Sequence, residues 1–353
     1  MKQNLIKRIR RPSPDPRKIL RLNRSEYGDD SFLKKKKTEE KFYYPDTTKL
    51  IDKISQFEKV KPNEINIALG TESLFKDILL WHQKKNKKRI FFNTPNYFIY
   101  EIFSDLFNYK KFKFEIDPEN PEEVNSFKII NDLKKNKSTL LILVNPSSPI
   151  EKFWNKKEII KILNFCKKKK IVVLLDEIYY GLGSKSFKKY YKNYKNLIIL
   201  RSFSKSFGLP GIRVAYSICN KELNEEISSY RLALELPVDS LNIAVDALDK
   251  YKIKTKNRMK LIIKARNYAK KEFLKRKIKC FGNYSNSVCI KLKNSEQVKK
   301  LGDFLTKNKI FVNYSYPNNF SNILNITTTN VNNLKYFFKY LDKFYNKKNY
   351  ESK

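Results

Sequence analysis

One lysine in this chain has neighbours unlike those of the rest. Lys205 follows the apolar run NLIIL and stands between serines in RSFSKSFGLPGIRVAYSI, with Arg213 eight positions on. A lysine at the end of a buried strand can be desolvated enough to lose its proton, and the free amine then forms a Schiff base with an aldehyde. Other apolar runs also end in residues with chemistry of their own. RIFFN leads into TPNYFIY, which carries Tyr97. LLILVN leads into PSSP, which carries Ser148. IVVLLD ends on Asp176 in DEIYYG, with Tyr179 three residues later. Taken singly, each has an ordinary reading: a strand-end lysine snorkels to water, and a strand-end aspartate caps a helix.

The elements that must hold these residues are legible from hydrophobic pattern. Strands are predicted at 89–93, 111–116, 140–145, 171–176, 197–201 and 213–218, with helical stretches between most of them. Short, wholly apolar strands fit a mainly parallel sheet buried on both faces. In an open α/β sheet, ligands gather beyond the carboxyl ends of the strands, where Tyr97, Ser148, Asp176, Tyr179, Ser202, Ser204 and Lys205 all fall. A helical region over 221–277 follows. SVCIKL, IFVNYS and ILNITT then suggest a smaller mixed sheet, closed by a helix at 331–346. The expected division is an N-terminal arm at 1–45 belonging to the small domain, a large domain at 46–237, and an interdomain helix with the C-terminal small domain at 238–353. The fold class is α/β: a three-layer α/β/α large domain with a mainly parallel mixed sheet, plus a smaller α+β domain.

Composition narrows the alternatives. The formal net charge is +39 over 353 residues. The lysines are scattered in runs such as LKKKKT, QKKNKKR and CKKKK, which is not one designed basic face, and no zinc-finger spacing or RNA-binding aromatic signature accompanies them. Nucleic acid is therefore not expected as a partner. Cys166, Cys219, Cys280 and Cys289 show no metal spacing and read as free thiols in a reducing cytoplasm. His82 is the only histidine and stands beside Trp81 in a helical stretch, so neither a histidine triad nor a multi-histidine metal site is expected, and no metal is expected. No apolar run reaches the roughly 18–20 residues of a membrane helix, and no signal-peptide core is evident.

A lysine for an aldehyde, an acid for a ring nitrogen, an aromatic face and an anion cradle together form the set that pyridoxal 5'-phosphate requires. At these residues the sequence resembles the fold-type-I pyridoxal-phosphate aminotransferases of class I/II, in particular the histidinol-phosphate aminotransferase branch, over nearly the whole chain. SFSKSFGLPGIRVAY is similar to the family's S/T-x-S-K-x-x-G-L-x-G-x-R-x-G-Y motif. The resemblance makes Lys205 the Schiff-base lysine and makes Ser202, Ser204 and Arg213 phosphate ligands. LLDEIYYG resembles the D-E-A-Y motif, which pairs Asp176 with the ring nitrogen and Tyr179 with the ring's phenolic oxygen. By the P-x-Y segment, Tyr97 stacks on the ring. By the LGTESL match at a helix start, Gly70, Thr71 and Glu72 cradle phosphate with backbone N–H groups. YYPD resembles a segment whose tyrosine, here Tyr44, reaches the neighbouring subunit's phosphate, which implies a homodimer with shared sites.

The departures from that pattern are specific. Ser148 stands where the family has asparagine, and Ile150 and Glu151 stand for its Thr-Gly. Asn313 and Asn325 replace two arginines that hold the substrate's anionic groups, and no arginine follows Arg276. The resemblance thus implies an aminotransferase with an amino donor and a keto acceptor, acting on something other than histidinol phosphate. The alternatives are a decarboxylase or other lyase of the same fold, and a non-catalytic relative. The retained lysine, aspartate, tyrosines and arginine argue against the last.

Overall fold

A computed structural model of the chain describes residues 20–22, 44–316 and 318–351. The elements run β1 (Leu20–Arg21), α1 (Thr48–Glu58), β2 (Ile65–Leu69), α2 (Gly70–Lys85), β3 (Arg89–Thr94), α3 (Ile99–Leu106), β4 (Lys110–Glu115), α4 (Ser126–Asn136), β5 (Leu140–Val144), α5 (Lys156–Lys168), β6 (Val172–Asp176), β7 (Leu197–Ser202) and β8 (Val214–Ile218). Seven strands make one sheet in the order β2-β8-β7-β6-β5-β3-β4. β4, β3, β5, β6 and β7 are parallel, while β8 is antiparallel to both β7 and β2. Every residue of β5, β6, β7 and β8 is buried. Alternation sends Leu141, Leu143, Val173, Leu175 and Ile199 into one core and Leu140, Ile142, Leu174, Ile198 and Leu200 into the other. Helices therefore cover both faces, and the strand ends are left as the open side of the large domain.

The six strands expected in the large domain are all present, and β2 is an addition. Its sequence INIAL has Asn66 in second place, which interrupts the apolar run. Asn66 is buried there, its side-chain oxygen accepting from the Arg231 guanidinium at 3.3 Å.

The C-terminal part comprises α6 (Lys221–Ser228), α7 (Val238–Asp249), α8 (Lys256–Lys275), β9 (Cys280–Phe281), β10 (Ser287–Lys291), α9 (Ser295–Lys307), β11 (Ile310–Phe311), β12 (Ile323–Thr327) and α10 (Val331–Glu351). The helical region expected over 221–277 is broken twice. Pro237 precedes α7 in extended conformation, since proline offers no N–H to continue a helix, and a π-turn at Tyr251–Thr255 joins α7 to α8. β12, β10 and β9 form an antiparallel sheet, and β1 pairs with β11. The strand expected at IFVNYS is only two residues long, but an isolated bridge between Asn313 and Asn325 carries the chain on to β12. This smaller α+β domain has its own core around Phe273, Val288, Leu301, Leu324, Ile326 and Phe337. No helix among the described residues is long and apolar enough to cross a membrane.

Candidate active site

β7 ends at Ser202, and the chain turns back into β8 through a tight loop. Phe203, Phe207 and Leu209 are buried beneath this loop, and Gly208 N–H returns to the Lys205 carbonyl at 3.2 Å. Arg258, on α8, holds the loop from behind: its guanidinium donates to the carbonyls of Lys205 (3.1 Å) and Ser206. The lysine is thus fixed by its own backbone, and its half-buried side chain lies near enough for its charge to act on Asp176. The Ser202 hydroxyl accepts from Ser204 N–H at 3.0 Å, which curls the start of the loop.

Asp176 closes β6 and is 2% exposed. Its carboxylate accepts from the Tyr100 hydroxyl at 2.5 Å and from Ile178 N–H at 3.0 Å. Burial pushes its pKa up to about 6, against the pull of these two donors and of the Lys205 charge nearby. Tyr100 is buried on α3, and its hydroxyl is held well above the usual tyrosine range by burial first, then by Asp176, Tyr97 and Tyr179. Four aromatic or acidic residues from β6, α3 and their flanking loops therefore face one another beside Lys205. Tyr100 was not singled out from sequence. The only signal is its position three residues after Tyr97; Tyr97 precedes α3, and the two rings meet edge to face at 6.2 Å.

The second half of the site lies at the start of α2. Gly70 has φ +79, a conformation open to glycine, and a Cβ there would lie 2.5 Å from the Arg213 guanidinium. Arg213 itself has φ +54. Its guanidinium sits 3.8 Å from the Glu72 carboxylate, which also accepts from the Tyr97 hydroxyl. Thr71 and Glu72 follow in the first turn of α2, where unpaired backbone N–H groups point out of the helix. The arrangement sets the first turn of a helix beside a guanidinium and the Glu72 carboxylate, with Tyr97 reaching that carboxylate from the loop after β3. The residues present fit a phosphorylated aromatic aldehyde: a cradle for the anion, a buried acid, two tyrosines and a lysine.

In the small domain, Asn325 lies on β12, opposite Cys289 of β10 and bridged to Asn313. Asn325 is buried, and the Tyr316 hydroxyl, raised above the usual tyrosine range mainly by burial, feels both its side chain and Tyr179. Its own Oδ1 has no partner among the described residues. Asn313 is half-buried and exchanges backbone hydrogen bonds with Asn325 at 2.8 and 3.1 Å. Ser148 is half-buried on the loop after β5. Among the described residues Tyr44 is 84% exposed, and no hydrogen bond or ring contact joins it to the cluster.

Sequence reasoning also missed the network beneath the site. The buried Arg201 guanidinium donates to Glu177 (2.7 Å) and Glu58 (3.1 Å) and lies 3.8 Å over the Tyr180 ring. Glu177 follows Asp176 directly, so this pairing ties the end of β6 to β7. His82 is structural: its ring nitrogens face the Tyr109 hydroxyl (2.9 Å) and the Thr139 carbonyl (3.2 Å), and burial lowers its pKa to about 4.

Comparison with known proteins gives concordant results. The family model described as aminotransferase class I and II matches residues 17–341. A histidinol-phosphate aminotransferase of Clostridium beijerinckii is 28% identical over 326 residues, 90% of this chain and 84% of that one. The crystal structure of the histidinol-phosphate aminotransferase from Clostridium acetobutylicum superposes with a TM-score of 0.82 at 23% identity, covering 93% of this chain and all of that one. That of the Sinorhizobium meliloti enzyme, in complex with pyridoxal-5'-phosphate, gives 0.81 at 17% identity over 90% of this chain and 89% of that one.

Proposed function

The chain belongs to the aminotransferase class I and II family, and from that premise we propose that it is an aminotransferase acting on an amine and keto pair other than that of histidinol phosphate. Pyridoxal 5'-phosphate is its cofactor. When bound, the cofactor's ring supplies an electron sink for a bond broken at the substrate's Cα. Ser202, Ser204, Arg213 and the backbone N–H groups of Gly70, Thr71 and Glu72 would hold the phosphate. Tyr97 would lie on the ring face. Asp176, ionised, would keep the ring nitrogen protonated. The hydroxyls of Tyr179 and Ser148 would donate to the ring oxygen, Ser148 doing with one hydrogen bond what the family's asparagine does. Lys205 would hold the aldehyde carbon and, once displaced by the substrate's amine, move the proton at Cα.

The observation that carries this reading is the buried Asp176 carboxyl at the end of β6, in the field of Lys205 and ringed by Tyr97, Tyr100 and Tyr179. The test is a screen of amine donors and keto acceptors, followed by the absorbance of the bound cofactor. Borohydride should trap the cofactor on the wild-type chain and leave Lys205→Ala unlabelled. A reconstituted wild-type chain that shows no such labelling overturns the reading.

The substrate follows from Asn313 and Asn325. A guanidinium grips a carboxylate with two charge-assisted bonds, which an amide cannot reproduce. Losing two such anchors should weaken an anionic substrate by roughly a hundredfold to ten-thousandfold. Histidinol phosphate with 2-oxoglutarate should therefore turn over with kcat/KM below about 10⁴ M⁻¹s⁻¹, and a head group held by neutral hydrogen bonds should do better. Asn325 also favours a second reading, decarboxylation, because the lost anchor is what orients the bonds at Cα. Release of CO2 without a keto acceptor would identify it.

The proposed assembly is a homodimer with Tyr44 reaching the partner's phosphate. The free cysteines, three of them buried, fit a reducing cytoplasm.

A further inference from the structure

We propose that Glu151 is a positioning residue whose carboxylate latches the small domain to the loop after β5 and so fixes Asn325 and Asn313 over the strand ends. In the motif this segment resembles, the position is glycine, which has no side chain to reach anything. Here one carboxylate oxygen accepts from Ser285 N–H at 2.7 Å and from the Ser285 hydroxyl. The other accepts from Tyr284 N–H at 2.9 Å and from Asn283 N–H. Three successive backbone N–H groups of the β9–β10 turn thus close around one anion, the geometry of a backbone nest.

The turn is gripped from its other side as well. Arg266, buried on α8, donates to the Ser285 carbonyl at 2.6 Å and to the Leu182 carbonyl at 2.9 Å. Leu182 lies three residues beyond Tyr179, and Ser148 lies three residues before Glu151. Ser285 is therefore held at its N–H by an anion from the Ser148 loop and at its carbonyl by a cation bound to the Tyr179 loop. The Phe153 and Tyr284 rings stack across the same junction at 4.9 Å. The next residue, Asn286, accepts at its carbonyl from Thr328 N–H (2.8 Å) and the Thr328 hydroxyl (2.9 Å), three residues past Asn325. Through this path the loops on the cofactor's side and the strand that faces the substrate move as one body. What those loops hold rests on the reading above; the latch itself does not.

The test compares wild-type holoenzyme with Glu151→Ala and Glu151→Gln by amide hydrogen exchange, cofactor affinity and steady-state kinetics. In Glu151→Ala, exchange at residues 283–287 and around the Asn313–Asn325 bridge should rise by about tenfold or more, with β5, β6 and β7 unchanged. KM for the best amine donor should rise by about tenfold, while kcat and the Kd for pyridoxal phosphate change by less than about threefold. Glu151→Gln keeps the shape and one accepting oxygen, so its values should fall between wild type and alanine, and it decides the matter should the alanine variant fail to fold. Unchanged exchange at 283–287, or a fall in kcat at constant KM, overturns the proposal. A wild-type chain that turns over no amine would sink the functional reading, and the exchange measurements would then decide the latch alone.

Discussion

Burial, and to a smaller extent the Glu177 charge, raise the pKa of the Asp176 carboxyl, the Tyr100 hydroxyl, the Ile178 N–H and the Lys205 charge lower it, and the net result is about 6. A ring nitrogen carrying a proton binds the ionised carboxylate, so cofactor affinity should fall as pH drops through that value. Removing the Tyr100 donor withdraws support from the charged form and raises the pKa further. For Tyr100→Phe the acid limb of the pyridoxal phosphate Kd should move up by on the order of one pH unit, the worth of one hydrogen bond to a charged group. The cofactor's own phosphate titrates in the same range, and Asp176→Asn isolates that contribution. If the limb of Tyr100→Phe coincides with that of wild type, Tyr100 does not support the charge. Asp176 stands out in sequence because it ends an apolar run with a residue that such runs rarely tolerate, and Lys205 because it follows another such run among small hydroxyl residues. Tyr100 does not, because an aromatic three residues after another reads as core packing, and only the fold brings its hydroxyl to Asp176.

Helix α2 serves the site with its first turn and carries a burden two turns later. Asp77 is fully buried, and both of its carboxylate oxygens lack a hydrogen-bond partner among the described residues, although the Lys76 ammonium lies 3.2 Å away. Burial raises its pKa to about 6, and the Lys76 charge only partly opposes this. A carboxyl raised in the folded state favours folding when neutral. Its contribution is full below the unfolded value of 3.8 and lost as pH rises through about 6. Asp77→Asn should therefore raise Tm at pH 8 by roughly 2–4 °C, with the gain shrinking toward pH 4. Calorimetry at the two pH values checks this, and a gain larger in acid would refute it. Helix starts of this kind are readable, as Gly70 shows, and so are strands made of unbroken apolar runs. β2 escaped because a buried asparagine splits it. The break between α6 and α7 escaped because YRLALEL has helical composition, while its exposed Leu232 and Leu234 lie on a non-helical segment before Pro237.

At the scale of the whole molecule, fold class and cofactor could be read because the motifs that imply them run along most of the chain, whereas the substrate could not, because Asn313 and Asn325 stand where the motifs they resemble have arginine. Assembly lies between these cases, since a single chain leaves it as an unfinished surface. Leu69, Leu232 and Leu234 are exposed on adjoining segments. Glu235 joins those segments by accepting from Leu69 N–H at 3.1 Å and the Ser73 hydroxyl at 2.7 Å. This apolar surface borders Gly70 at the start of α2, and Tyr44 is largely exposed among the described residues. Covering such a patch with a second copy would bury it and bring a foreign Tyr44 to each cradle. The formal charge of +39 opposes that association, so the dimer should tighten as salt is added. Mixing tests whether the sites are shared. In a hybrid of Tyr44→Phe and Lys205→Ala subunits, a site built across the interface combines Lys205 of the first with Tyr44 of the second and is intact, while the other site carries both losses. Equal mixing gives half hybrids with one good site each, so activity should recover to about a quarter of wild type above the parents' own. If Tyr44 serves its own chain, every hybrid site carries one of the two changes and no recovery follows. Sedimentation of a fully active monomer at assay concentration would rule out the shared site altogether.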